Sequence, residues 1–161
     1  MNTPNDVTVL VLERSKALLE RFSSDLSSAE LLHRATEKGN CAAWLIGHLA
    51  LADRRMLALI GAPQPELPAG FEKRFSRDEG CPQAADFGDV AGLLNIFGQH
   101  RDLLIAAVKR ATPEQLNKPL EKPMAGCNTV GEVITFMALH TTMHAGQITM
   151  LRRSLGRPPL M

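Results

Sequence analysis

Val130, Ile134, Met137, Thr141, His144, Ile148, Leu151 and Leu155 follow one another in alternating steps of four and three residues. This is the seam of a helix packed in a bundle. Thr129-Val130-Gly131-Glu132 is a capping-box sequence that opens the helix, and Gly156 followed by Pro158-Pro159 stops it. Three further amphipathic segments supply partners, and no stretch shows the sustained two-residue alternation of a strand. The chain is therefore predicted to be all-α, a four-helix bundle. Its 161 residues are the length of one domain, and residues 1–161 are read as one.

The first segment runs from about Asp6 to Phe22, with Val7, Leu10, Val11, Leu18 and Phe22 expected inward. Ser28 can cap a short helical turn reaching Leu32, and Lys38-Gly39 then breaks the chain. Asn40 is placed to cap a strongly apolar second helix, Cys41 to Ile60, ended by Gly61 and Pro63. Its inward stripe reads Cys41, Leu45, His48, Ala52, Met56, Leu59. Residues 61 to 86 are rich in proline and glycine and read as a long crossover connection. A third helix is expected from Phe87 to Ala111, with Val90, Leu93, Leu94, Phe97, Leu104 and Val108 inward. Thr112-Pro113-Glu114-Gln115 predicts a short extra helical turn. A second long connection spans Asn117 to Asn128.

The register gives the histidines their meaning. His140 and His144 are one turn apart, near enough for both imidazoles to reach one metal ion. His144 lies on the seam and His140 beside it, while His48 lies on the inward stripe of the second helix. Three imidazoles thus point toward one apolar interior, where each needs a hydrogen bond, a charge or a metal. The plain alternative is three separate core histidines, each satisfied by a carbonyl or a hydroxyl such as that of Thr141. The spacing favours a three-histidine metal centre with an open position, the way catalytic zinc sites are built.

Composition removes other classes. Lys and Arg number 18 against 17 Asp and Glu, with no basic run, so no nucleic-acid partner is expected. No apolar run approaches the ~20 residues of a bilayer span, so no membrane partner is expected. The first residues lack the basic start and cleavage site of a secretory signal, which predicts a cytoplasmic protein. Cys41, Cys81 and Cys127 are odd in number, widely spaced and without a CxxC, and read as reduced thiols.

The run NTVGEVITFMALHTTMHAGQITMLRRSLGRPPL, with the earlier NCAAWLIGHLALADRRM, resembles the DinB-like (DinB/YfiT-like) superfamily of four-helix-bundle metalloproteins. The resemblance follows the order and spacing of segments along nearly the whole chain. It implies a divalent metal, zinc or nickel, held at the matching positions His48, His140 and His144. It also implies a homodimer, for which Leu12, Leu19, Leu49 and Leu139 lie outside the expected inward stripes and could form a second buried face. Some members of that superfamily are transferases or isomerases using bacillithiol, mycothiol or glutathione.

Neutral imidazoles leave an ion its full charge, so a bound water or thiol is strongly acidified. One turn from the three histidines stand Trp44, Leu45, Leu51, Ala52, Phe136, Met137, Thr141, Gln147 and Ile148, with no carboxylate among them. A coordinated thiolate needs no further base, and the superfamily resemblance, which includes thiol-dependent transferases, implies as the leading expectation a metal-dependent thiol transferase acting on a small electrophile. A metal-dependent small-molecule hydrolase would need a carboxylate brought in by the 61 to 86 connection. A non-catalytic, metal-stabilised, stress-related binding protein is the third reading.

The remaining polar candidates carry two readings each. His100 could line the site or be structural, and Gln147 could hydrogen-bond a metal-bound group or pack between helices. Trp44 is either a core anchor or a pocket wall. His33 is expected to be solvated, and Cys41 to lie too far along its helix to ligate. Arg152 and Arg153 suit the end of a helix dipole without a ligand. The methionines fit irregular core filling.

Overall fold

The computed structural model describes residues 3–160. Four long helices carry the fold: α1 (Pro4–Ser23), α3 (Ala42–Leu59), α5 (Leu93–Arg110) and α7 (Val130–Ser154). Short elements lie between them: α2 (Ser28–Leu31), α4 (Phe71–Phe75), a 3₁₀ turn (Ala84–Asp86), α6 (Pro113–Asn117) and a hairpin of β1 (Pro119–Met124) and β2 (Cys127–Thr129). Capping boxes open α1 (Thr3, Asp6), α2 (Ser27, Glu30), α6 (Thr112, Gln115) and α7 (Thr129, Glu132), each satisfying backbone donors that a helix start leaves unpaired.

Two apolar clusters fix the direction of the chain. One joins the C-terminal half of α1, the start of α3, Phe71, Phe75 and Phe87, the start of α5 and the C-terminal half of α7. The other joins the start of α1, the ends of α3 and α5, and the first half of α7. α1 and α7 therefore run one way, and α3 and α5 run the other. The main packing pairs are α3 with α5 and α1 with α7, and α1 with α5 and α3 with α7 close the ring. Because α3 and α5 are parallel neighbours, the chain between them must travel back the length of an 18-residue helix, about 27 Å. The sequence from 61 onward is this crossover, and it buries Phe71, Phe75 and Phe87 on its way.

Between the two clusters lies a polar belt. Arg101 on α5 donates to both carboxylate oxygens of Asp53 on α3, at 2.7 and 3.0 Å. The same guanidinium donates to Ser15 on α1 at 3.0 Å and to Thr141 on α7 at 2.7 Å. All four residues are buried, so one side chain touches the other three helices of the bundle. Burial pushes the Asp53 carboxyl up and the Arg101 charge opposes it; the bidentate geometry is that of an ionised pair.

Several expectations are corrected. α1 buries Val9, Leu12, Ser15, Leu19 and Phe22, while Val7 and Leu10 face out. Its true stripe contains a serine, which a purely apolar reading passes over. Leu12, Leu19 and Leu49 belong to the core, and of the four leucines offered for a second face only Leu139 is exposed. The cap of α2 is Ser27 rather than Ser28, and α3 starts from Cys41, whose side chain makes no capping bond, rather than from Asn40. The third long helix begins at Leu93, not Phe87. Gly88 takes a left-handed conformation (φ 67°), and Asp89 accepts from the Ala91 amide, so the backbone turns before it coils. The second connection holds the hairpin, with Pro119 opposite Thr129 and Met124 opposite Cys127. Its turn residues Ala125 and Gly126 both have positive φ. Its strands are short, proline-bearing and mostly exposed, so they show no alternation to read.

Candidate metal centre

α3 is buried on nearly every side over its first half, which explains its almost uniformly apolar sequence there. His48 sits in this half, and its ring stacks on Trp44 at 4.8 Å between centroids. On α7 the i, i+4 pair His140 and His144 faces it, with centroids 5.2 and 5.6 Å from that of His48. One ring nitrogen from each of the three lies within 4.8 Å of the others. The structure therefore brings together all three residues singled out by spacing.

Outer contacts aim these rings. His48 Nδ1 donates to the Phe75 carbonyl at 3.2 Å, and His144 Nδ1 donates to Gln147 Oε1 at 2.7 Å. In both cases Nε2 is left with its lone pair. His140 Nε2 and His144 Nε2 are 2.9 Å apart, while His140 Nδ1 is buried without a partner. Two imidazole nitrogens so close need a proton or a metal ion between them. Zn–N bonds of 2.0–2.1 Å in a tetrahedral site put ligand nitrogens about 3.3 Å apart, so the spacing suits one ion.

The environment keeps the rings neutral. Burial lowers the basicity of His48, helped by His144, Arg55 and Arg77, although the Phe75 hydrogen bond works the other way. Burial likewise lowers His144, against the Gln147 hydrogen bond. His140 is lowered to about 3, first by burial and then by His144 and His48. Neutral imidazole is the form that ligates a metal. Among the described residues the cluster includes no carboxylate and no thiol.

The other candidates fall elsewhere. His100 is buried, with Nδ1 donating to the Ile96 carbonyl at 2.8 Å, and does not join the cluster. His33 is not solvated as expected: its Nε2 bonds the Ser154 hydroxyl at 2.9 Å, and it is half-buried. Arg152 pairs with Asp25 and donates to the Phe22 carbonyl, so it ties α7 to the end of α1. Gln147, read as a partner of a metal-bound group or as packing between helices, is the hydrogen-bond partner of the His144 ring. Phe136 stacks on the His140 ring at 6.1 Å and also lines a cavity of about 1080 Å³ bordered by Asn5, Leu116, Cys127 and Leu139.

Sequence reasoning missed two parts. The Phe75 carbonyl is a backbone group on a remote connection and leaves no residue-type signal. The Asp53–Arg101 pair did leave one, since each is a charged residue in step with the buried positions of its helix: Leu49 and Met56 for Asp53, Phe97 and Leu104 for Arg101.

The family model of the DinB superfamily matches residues 11–148 of this chain. Among curated proteins none matches significantly. Among solved structures the chain is similar to YfiT from Bacillus subtilis, described as a probable metal-dependent hydrolase with an unusual four-helix bundle topology. The two share 18% identity with a TM-score of 0.68, over 96% of this chain and 89% of that one. At that identity the likeness shows the fold.

Proposed function

The chain belongs to the DinB superfamily, and from that membership we propose a divalent-metal protein that uses a small thiol to attack a small electrophile. The observation that carries this reading is the convergence of one ring nitrogen from each of three histidines with no carboxylate or thiol in the set. His48, His140 and His144 would hold the ion, zinc or nickel, leaving a position open. A divalent ion held there acidifies a coordinated thiol, so that it is present as thiolate near neutral pH.

The chain's own groups prepare the rest. Phe75 and Gln147 fix the tautomers of His48 and His144, and Trp44 and Phe136 stack against His48 and His140. The side-chain charges that bear on His48 from beyond the cluster are those of Arg55 and Arg77. Both are positive and exposed, which suits an anionic sulfur or substrate better than a base-assisted attack by water.

A second reading, hydrolysis of a small molecule, draws on the likeness to YfiT. The cobalt-substituted protein separates the two. Bacillithiol, mycothiol or glutathione should add an intense sulfur-to-metal charge-transfer band, and conjugation of a panel of electrophiles should require all three histidines. No band and no conjugation would remove the transferase reading, and turnover of ester or amide substrates would then favour the hydrolase. A saturated, inert centre would favour the metal-stabilised binding protein. The protein is also proposed to act in the cytoplasm as a homodimer, with the outward Leu139, Met143 and Met150 stripe of α7 as the contact in place of the leucines now placed in the core.

A further inference from the structure

Cys41 and Cys81 are 40 residues apart in sequence, yet their Sγ atoms lie 3.7 Å apart. Cys41 is the N-cap of α3, fully buried and without a capping bond. Cys81 is partly exposed, on the crossover between α4 and the 3₁₀ turn. Arg34 holds the crossover at this point by donating to the Cys81 carbonyl at 3.1 Å and to that of Pro82. A disulfide needs about 2.05 Å between sulfurs, so closure requires the remaining gap to come mainly from the crossover side.

We propose that Cys41 and Cys81 form a reversible redox pair, whose disulfide ties the crossover to the start of α3. The oxidant class is a peroxide. The Cys81 thiolate attacks one peroxide oxygen and the O–O bond breaks, giving a Cys81 sulfenic acid and, with a proton, water. The Cys41 sulfur then attacks the sulfenyl sulfur: the S–S bond forms, the S–O bond breaks, and the hydroxyl leaves as water with the Cys41 proton. Two thiols have lost two electrons and two protons to one hydrogen peroxide, which ends as two waters. Two equivalents of a small thiol reverse the step.

The order of events follows from exposure. Burial pushes the Cys41 thiol up to about 12, with Cys81 beside it adding to the effect, which suits Cys41 to the second, resolving step. Cys127 lies on β2 and belongs with the opposite apolar cluster, so it serves as an internal control. The tie also bears on the metal centre. The Phe75 ring sits on Gly47, and its carbonyl accepts from His48, six residues before Cys81. This last consequence rests on the proposed metal function, whereas the disulfide itself does not.

The test treats the full chain, with and without bound zinc, with a few equivalents of hydrogen peroxide and maps its peptides without reduction. The expected product is an intramolecular Cys41–Cys81 link, with titratable thiols falling from three to one, Tm rising by several degrees, and full reversal by a thiol reductant. Cys81→Ser, on the crossover, should abolish the link without disturbing the core, and Cys41→Ala should leave Cys81 to over-oxidise to sulfinate. In the wild type, sulfinate at Cys81, three surviving thiols, or links through Cys127 or between chains would overturn the proposal. Zinc release to a chelator should slow several-fold in the oxidised form. A disulfide formed in a protein that binds no zinc would leave the redox pair standing and sink the metal centre; bound zinc without a disulfide would do the reverse.

Discussion

Gln147 and Phe75 show what a single outer hydrogen bond does at the metal centre, because each fixes which nitrogen of a histidine faces inward. His144→Ala should lose most of the bound metal measured by elemental analysis after gel filtration, while Gln147→Leu should weaken zinc about 10–100-fold in a competition titration. Equal loss in the two variants would make Gln147 more than an orienting partner. Proton competition gives a second test. An ordinary imidazole titrates near 6.5, and all three here are lowered in the fold, His140 to about 3. Metal affinity should therefore hold as pH falls through 6.5 and decline only at lower values. In the metal-free protein the unfolded chain takes up protons near 6.5 that the folded one resists. Its stability is full above that pH and falls below it, as urea melts across pH 5 to 8 would show. At this scale the sequence was a good guide to which imidazoles converge, since their spacing is written in residue order. It was a poor guide to their orientation, because the Phe75 acceptor is backbone.

Gly47 illustrates why an element's boundary is not its whole story. A Cβ at this position would lie 2.6 Å from Phe75 Cγ, too close to a ring that is itself buried. Gly47→Ala gains helix propensity of about 1 kcal/mol yet must displace a packed aromatic, an overpacking that costs about 1–3 kcal/mol. The expected outcome is an unchanged or lower Tm together with weaker zinc binding, because moving Phe75 moves the acceptor of His48. A more stable variant with unaltered zinc affinity would show that the crossover is not docked as described. The helices were legible wherever a cap and a stripe agreed, as at Thr129 and Glu132. They were misread where a short residue on the buried face broke the apolar pattern, as Ser15 did on α1. The hairpin lay beyond reach because its short, mostly exposed strands carry no hydrophobic period, and Ala125 is not a residue that announces a left-handed turn.

In the whole bundle the Arg101 guanidinium holds α1, α3 and α7 at once. Arg101→Met should destabilise by about 3–5 kcal/mol, because it leaves Asp53 charged and alone in the core, whereas Asp53→Leu combined with Arg101→Met should recover much of that loss. Denaturant titrations that find the double variant as unstable as the single would rule out the stranded charge as the cause. Sedimentation at tens of micromolar should find a dimer, and Leu139→Lys with Met143→Lys should give a folded monomer; a monomeric wild type ends the pairing proposal. The belt has a kinetic consequence as well. Two apolar clusters at opposite ends of a bundle could in principle assemble and melt one after the other. Either half alone would form beside a guanidinium and a carboxylate still in water, and drying that pair before α1 and α7 bring Ser15 and Thr141 would leave donors unmet. Each end therefore has to wait for the other, so heat should melt both in one transition, and a chain being synthesised should stay open until α7, its last helix, has been made.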